Sequence, residues 1–178
     1  FSPVAAGMAR SKSGRPVMSG SVNELPVGDG KLGGYVSLDV LCHANVDPQV
    51  ALKEAHRCLA PGAIAVLNLP AYAWMFSAHD RRTQNARRFN RGEVRALLAA
   101  TGFRIVRATY WNTILFPLML IHRLIERDDA ESDVKDYPRW LDAIFSSALA
   151  VERAVIGAGF SLPFGGSLLI VATRDGGP

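Results

Sequence analysis

The stretch Val36-Ser-Leu-Asp-Val-Leu-Cys-His43, with Asp47-Pro48 and the run Ala51 to Gly62 behind it, leaves this chain few possible folds. A branched apolar run breaks off at polar residues. A segment of helical period follows and stops at Pro61-Gly62, after which Ala63-Ile-Ala-Val-Leu-Asn-Leu-Pro70 supplies a second branched run. Strand, loop, helix and strand in that order are the pattern of a βαβ unit in a buried parallel sheet. Asp47 is the expected N-cap of the helix and Pro48 its first residue, with Val50, Leu52, Ala55 and Leu59 on the apolar face. Ligands of such sheets sit beyond the carboxyl ends of the strands. Here those ends carry Asp39, Cys42 and His43 after the first strand, and Asn68, Tyr72 and Trp74 after the second.

Punctuation on either side of the unit sets the remaining elements. Pro3 to Lys12 reads as a helix capped by Ser2 and ended by Gly14, and Arg15 to Gly20 as a short strand. Asn23 to Gly34 is a loop. After Pro70 a long polar and aromatic loop, Ala71 to Asn90, precedes a helix to Ala100, which Asn90 caps with Glu93 at the capping-box position and Gly102 ends. Phe103 to Trp111 is a strand, Ile114 to Gly159 a helical pair split by the charged segment Glu126 to Lys135, and Gly166 to Arg174 a last strand. The expected organisation is one α/β domain over residues 1–174 with a helical insertion at about 114–159, then a disordered tail, 175–178.

At 178 residues, 49% of them hydrophobic, the chain suffices for one such core and is short for two. A net charge of +4 admits an anionic partner without demanding nucleic acid, because the basic residues gather in one loop instead of forming a stripe with interleaved aromatics. Cys42 and Cys58 are the sole cysteines; they lack metal-ligand spacing and point to a reducing, cytoplasmic setting. The apolar run Ile114 to Ile121 is too short to span a bilayer, and Leu141 to Leu162 is interrupted by Glu152 and Arg153. Buried or amphipathic helices fit better, which leaves peripheral membrane contact open. The sequence is silent on oligomeric state.

Around the long loop, Tyr72, Trp74 and Phe76 offer an aromatic wall, and Arg81, Arg82, Arg87, Arg88, Arg91 and Arg95 offer guanidinium forks for an anion or a solvated helix entrance. His79 with Asp80 is the best available acid–base pair, since His titrates near neutrality and a carboxylate fixes its tautomer.

Several motifs in series resemble a class I S-adenosylmethionine-dependent methyltransferase, a Rossmann-like fold. Gly20-Ser-Val-Asn-Glu-Leu-Pro26 is similar to that family's adenine-binding loop, with Ser21 at the usual acidic position and Val22 offering its amide. Ser37-Leu-Asp-Val-Leu-Cys-His43 resembles the segment lying along the methionine part of the cofactor, with Cys42 in place of a glutamate. Tyr72 to Asp80 and Arg87-Arg-Phe89 resemble a Trp-Ser-x-His-Asp and Arg-Arg-Tyr pattern of one subgroup.

The resemblance implies S-adenosylmethionine as cofactor, held by Ser21, Val22, Ser37, Leu38, Asp39 and His43. It further implies in-line methyl transfer from the sulfonium. The residues themselves suggest a metal-independent route and, from the apolar helical insertion, a small or lipid-like acceptor bound by Tyr72, Trp74, Arg87 and Arg88, with His79 and Asp80 as catalytic candidates. The family's glycine-rich strand-to-helix turn has no counterpart in the sequence, whose first residues resemble those just after the second strand in the order 3-2-1-4-5-7-6. An incomplete domain, inactive alone, is the resulting expectation. A non-catalytic remnant that binds a partner through its helical insertion is the rival reading.

Overall fold

Two apolar strands at the middle of a mixed sheet organise the chain: β2 (Leu59–Pro70) and β4 (Ser167–Arg174), paired antiparallel. The structure, a computed structural model, describes residues 3–125 and 138–175. The expected cap Ser2, the charged segment Glu126 to Lys135 and the tail beyond Asp175 lie outside the described residues. β1 (Leu32–Leu38) runs parallel to β2 on one side, and β3 (Phe103–Trp111) runs antiparallel to β4 on the other, giving the order β1-β2-β4-β3. That is the order expected for the last four strands, 4-5-7-6. Consequently the carboxyl ends of β1, β2 and β3 and the start of β4 share one edge of the sheet.

Alternation along the central strands explains the core. Ala65, Leu67 and Leu69 of β2 pair across with Ala172, Ile170 and Leu168 of β4, and each is fully buried or within 1% of it. Onto this face pack α2 (Pro48–Cys58), through Ala51, Leu52, Ala55 and Cys58, and α4 (Arg91–Ala100), through Val94 and Leu98. Burial of each leucine contributes about 1.5–3 kcal/mol. The apolar face of α2 is turned by one residue from the expected one: Val50 is 42% exposed and Ala51 takes its place. Both caps form as expected, Asp47 accepting from the Gln49 and Val50 amides and Asn90 exchanging bonds with Glu93.

Three expectations change. Residues 15–20 form no strand; they are mostly exposed, and no described strand lies beside them to take their backbone hydrogen bonds. α2 ends at Cys58, before Pro61-Gly62, because β2 begins at Leu59 and absorbs that pair in a register shift opposite Leu32 to Gly34, with Gly62 at φ +76°. The expected loop from Ala71 to Asn90 contains a 3₁₀ turn, Ala73–Met75, and a short helix α3 (Ala78–Arg82). Ser77 and Asp80 account for α3: the Ser77 amide donates to Asp80 Oδ2 at 2.9 Å, a capping-box contact legible in the Ser-x-x-Asp spacing.

α1 (Pro3–Ser13) buries no residue and ends as expected at Gly14, at φ +63°. The helical pair is α5 (Phe116–Ile125) and α6 (Arg139–Gly157). Among the described residues no helix is long and apolar enough to cross a membrane.

Candidate functional site at the strand ends

Backbone strain collects at one edge of the sheet. Four described non-glycine residues have positive φ, and three of them follow strand ends there: Asp39 (φ +53°) after β1, Tyr72 (φ +61°) after β2 and Asn112 (φ +64°) after β3. Such conformations cost roughly 1–3 kcal/mol each and persist where the surroundings impose them. Against this edge lies a cavity of about 280 Å³ lined by Asp39, His43, Pro70, His79, Asp80, Thr83, Asn85, Arg88, Met119, Gly166 and Ser167. Two larger grooves, of about 600 and 470 Å³, run along α4 with β3 and between α2 and α4. We assign the site to the smaller cavity because it alone of the three gathers histidines and carboxylates at the strand ends.

The Asp39 amide donates to the Asn68 carbonyl, and both Asp39 carboxylate oxygens accept from Asn68 Nδ2 at 3.1 Å. Desolvation raises the pKa of Asp39 above its ordinary value, opposed by that Asn68 bond and by the charge of Arg88. His43 is half-buried and bridges to Asn85, so two loops of the site meet through it. Cys42 is buried, its thiol directed at the Asp39 carbonyl and at Asn85 Oδ1, each at 3.1 Å. Burial and the negative charge of Asp39 push that thiol up to about 11, so it stays protonated and is no nucleophile near neutrality.

Arg87, Arg88 and Asp80 hold the loop together. Arg88 Nε meets Asp80 Oδ2 at 2.9 Å with both side chains almost fully buried, and Arg88 also donates to the Ala71 carbonyl. Asp80 accepts in addition from the Ser77 amide and from Asn85 Nδ2. Arg87 donates one nitrogen to the carbonyls of Leu41, His43 and Val46. Backbone bonds from Ala86 to Cys42, Phe89 to Pro70 and Tyr72 to Phe89 complete the seam. These bonds give Arg87, Arg88 and Asp80 structural partners, which sequence reasoning did not foresee. His79 stands half-buried in the cavity wall.

Tyr72 lies at the centre of an aromatic cluster, stacked on Tyr110 with ring centroids 5.4 Å apart and tilted against Trp74 and Phe116 at 5.5 and 5.8 Å. Burial, reinforced by the Tyr110 hydroxyl, pushes the Tyr72 phenol up to about 12. Trp74 is 65% exposed beside it. Sequence reasoning missed Tyr110, Phe116 and Met119, which reach this edge only through the pairing of β3 and the placement of α5.

The two segments expected to hold the cofactor are neighbours. Asn23 Nδ2 donates to the Asn45 carbonyl and Asn23 Oδ1 accepts from the Asp47 amide, which ties the Ser21 loop to the loop after β1. Val22 packs against the core, and the Ser21 hydroxyl accepts from the Asn23 amide. Leu38 is 60% exposed, whereas Ser37 is buried on the same face as Leu67, which leaves its backbone and not its hydroxyl for a ligand. Among the described residues no group of His, Cys, Asp and Glu could hold a metal ion.

Comparison with known proteins bears on the fold. Residues 1–67 match the methyltransferase domain family. A Haloferax volcanii protein solved with the Trm112 methyltransferase activator aligns at a TM-score of 0.61 and 17% identity, over 98% of this chain and 70% of its own. An S-adenosylmethionine-dependent methyltransferase from Thermotoga maritima aligns at 0.56 and 18% identity, over 97% and 70%. Phosphoethanolamine N-methyltransferase 2 of Haemonchus contortus, solved with S-adenosyl-L-methionine, aligns at 0.51 and 13% identity, over 88% of this chain and 36% of its own. A search of curated proteins found no match.

Proposed function

We propose that this chain is a class I S-adenosylmethionine-dependent methyltransferase that methylates a small or lipid-like acceptor at the strand-end cavity, a reading supported by the match of residues 1–67 and by the fold. The observation that carries the reading is the juxtaposition of the Ser21–Val22 loop, the Asp39–His43 loop and the cavity holding His79 on one edge of the sheet. Bound there, the cofactor supplies an activated methyl group on a sulfonium.

The chain's own part is positioning. Val22 and the backbone of Ser37 to Asp39 hold the cofactor side, while His43, His79, Tyr72 and Trp74 shape the acceptor side and exclude water. His79 accepts a proton where the acceptor atom carries one. Asp80, Arg87 and Arg88 fix the geometry of that wall from behind. The exposed Trp74 and Phe76 turn covers the mouth, and the rest of the 71–90 segment is its anchored hinge.

A lipid-like acceptor finds support in the helical pair. Trp140, Ile144 and Val151 of α6 are each more than half exposed, and their spacing puts them on one helix face; Leu118 and Ile121 of α5 are likewise exposed. The free, buried Cys42 and Cys58 favour the cytoplasm.

No glycine-rich turn follows any strand of this sequence, and such a turn is what lets backbone approach a nucleotide closely. The chain as it stands should therefore bind S-adenosylmethionine only weakly and turn over little by itself. Calorimetric titration checks this: heats too small to fit at ordinary protein concentration are expected, and micromolar affinity would contradict it.

A further inference from the structure

From the charge of the strand-end cavity we infer that the methyl acceptor is an amine, which enters as an alkylammonium ion and is held by Asp39. The inference rests on the methyltransferase reading above and specifies its substrate class.

Two carboxylates, Asp39 and Asp80, and one guanidinium, Arg88, line the cavity beside His43 and His79. Arg88 is committed to Asp80, paired at 2.9 Å with side chains 3% and 0% exposed. Arg87, which the sequence offered as a second fork for an anion, donates to three backbone carbonyls. Asp39 is left with a neutral partner, the Asn68 amide, and among the described residues no lysine or arginine forms an ion pair with it.

A carboxylate or phosphate entering the cavity would meet the Asp39 carboxylate, on which Arg88 and His43 act through space without an ion pair; a cation would be attracted by it. The Tyr72 and Trp74 rings, 5.5 Å apart, follow Pro70 of the lining in the chain, and aromatic faces attract alkylammonium groups.

The chemistry balances with the residues present. Held by Asp39, the ammonium passes one proton to the imidazole of His79 or His43, and the freed nitrogen lone pair attacks the methyl carbon. As the nitrogen–carbon bond forms, the carbon–sulfur bond breaks and sulfur keeps its electron pair as a neutral thioether. The positive charge ends on nitrogen.

Amide chemical shifts of the isotope-labelled chain test the assignment, with ethylammonium chloride and sodium acetate as probes at matched ionic strength. Ethylammonium should move the signals of Asp39, His43 and Ser167, and acetate should leave them in place. Asp39→Asn should weaken the ethylammonium response about fivefold to tenfold, with an unchanged melting temperature. Acetate binding at these residues as well as ethylammonium would overturn the inference. So would an Asp39→Asn variant that keeps its ethylammonium affinity and loses its response to S-adenosylmethionine, since Asp39 would then belong to the cofactor. The probe arm runs without cofactor, so a chain that answers ethylammonium and ignores S-adenosylmethionine upholds the cation site and counts against the methyltransferase reading alone.

Discussion

Arg88 shows how a residue's chemistry depends on what it is buried against. Its guanidinium could have read an anionic acceptor, but it is 6% exposed and bonded to Asp80 and to the Ala71 carbonyl. Removing one member of a buried pair leaves the other uncompensated, at a cost of about 3–5 kcal/mol. Arg88→Ala should therefore lower the unfolding free energy by about that much in urea titration. A fully stable Arg88→Ala chain would return the arginine to the list of ligand-binding groups. From the sequence, the placement of Asp39, His43, Tyr72 and His79 near the strand ends was legible because each follows a strand end or sits in the long loop beyond one. The pairing of Arg88 with Asp80 was not, since adjacency to His79 suggested a different partner and only the folded loop brings position 88 back to position 80.

Between elements, the contact of α2 with the turn joining α4 to β3 carries a pH signature. His56 of α2 sits edge-on to Phe103 with ring centroids 5.4 Å apart, and a Cβ on Gly102, at φ +84°, would lie 2.8 Å from its Nε2. Burial lowers the His56 pKa below its ordinary 6.5, with the charge of Arg174 acting in the same direction. A depressed pKa means that the unfolded chain takes up this proton first as pH falls. Its contribution to stability is thus complete above about pH 6.5 and is lost as pH falls through the lower folded value. Melting temperatures recorded from neutral to mildly acidic pH should fall less steeply in His56→Gln than in the parent chain; parallel curves would rule this out. Elements of this kind were well legible where a local signal fixed them, as with the caps Asp47 and Asn90 and the strand Phe103–Trp111. The expected strand at residues 15–20 failed because a strand needs a neighbour, and no local pattern supplies one.

For the molecule as a whole, the order β1-β2-β4-β3 puts three strand ends and the start of β4 along one edge, and the site follows from that topology more than from any single motif. One face of the sheet is exposed along β1: Val36 and Leu38 are 65% and 60% exposed, and Ile64 of β2, on the same face, 51%. In the proposed reading β2, β3, β4 and the 71–90 segment build the acceptor wall while β1 and the Ser21 loop face the cofactor, so a formed wall is compatible with weak cofactor affinity. The central claim is that S-adenosylmethionine approaches the ends of β1 and β2. Mapping amide shifts on addition of the cofactor at millimolar concentration tests it most directly. The account predicts perturbations at Val22 and from Leu38 to His43, with little change along α4 and β3; shifts confined to the arginine-lined groove of α4 and β3, or no shifts at all, would contradict it.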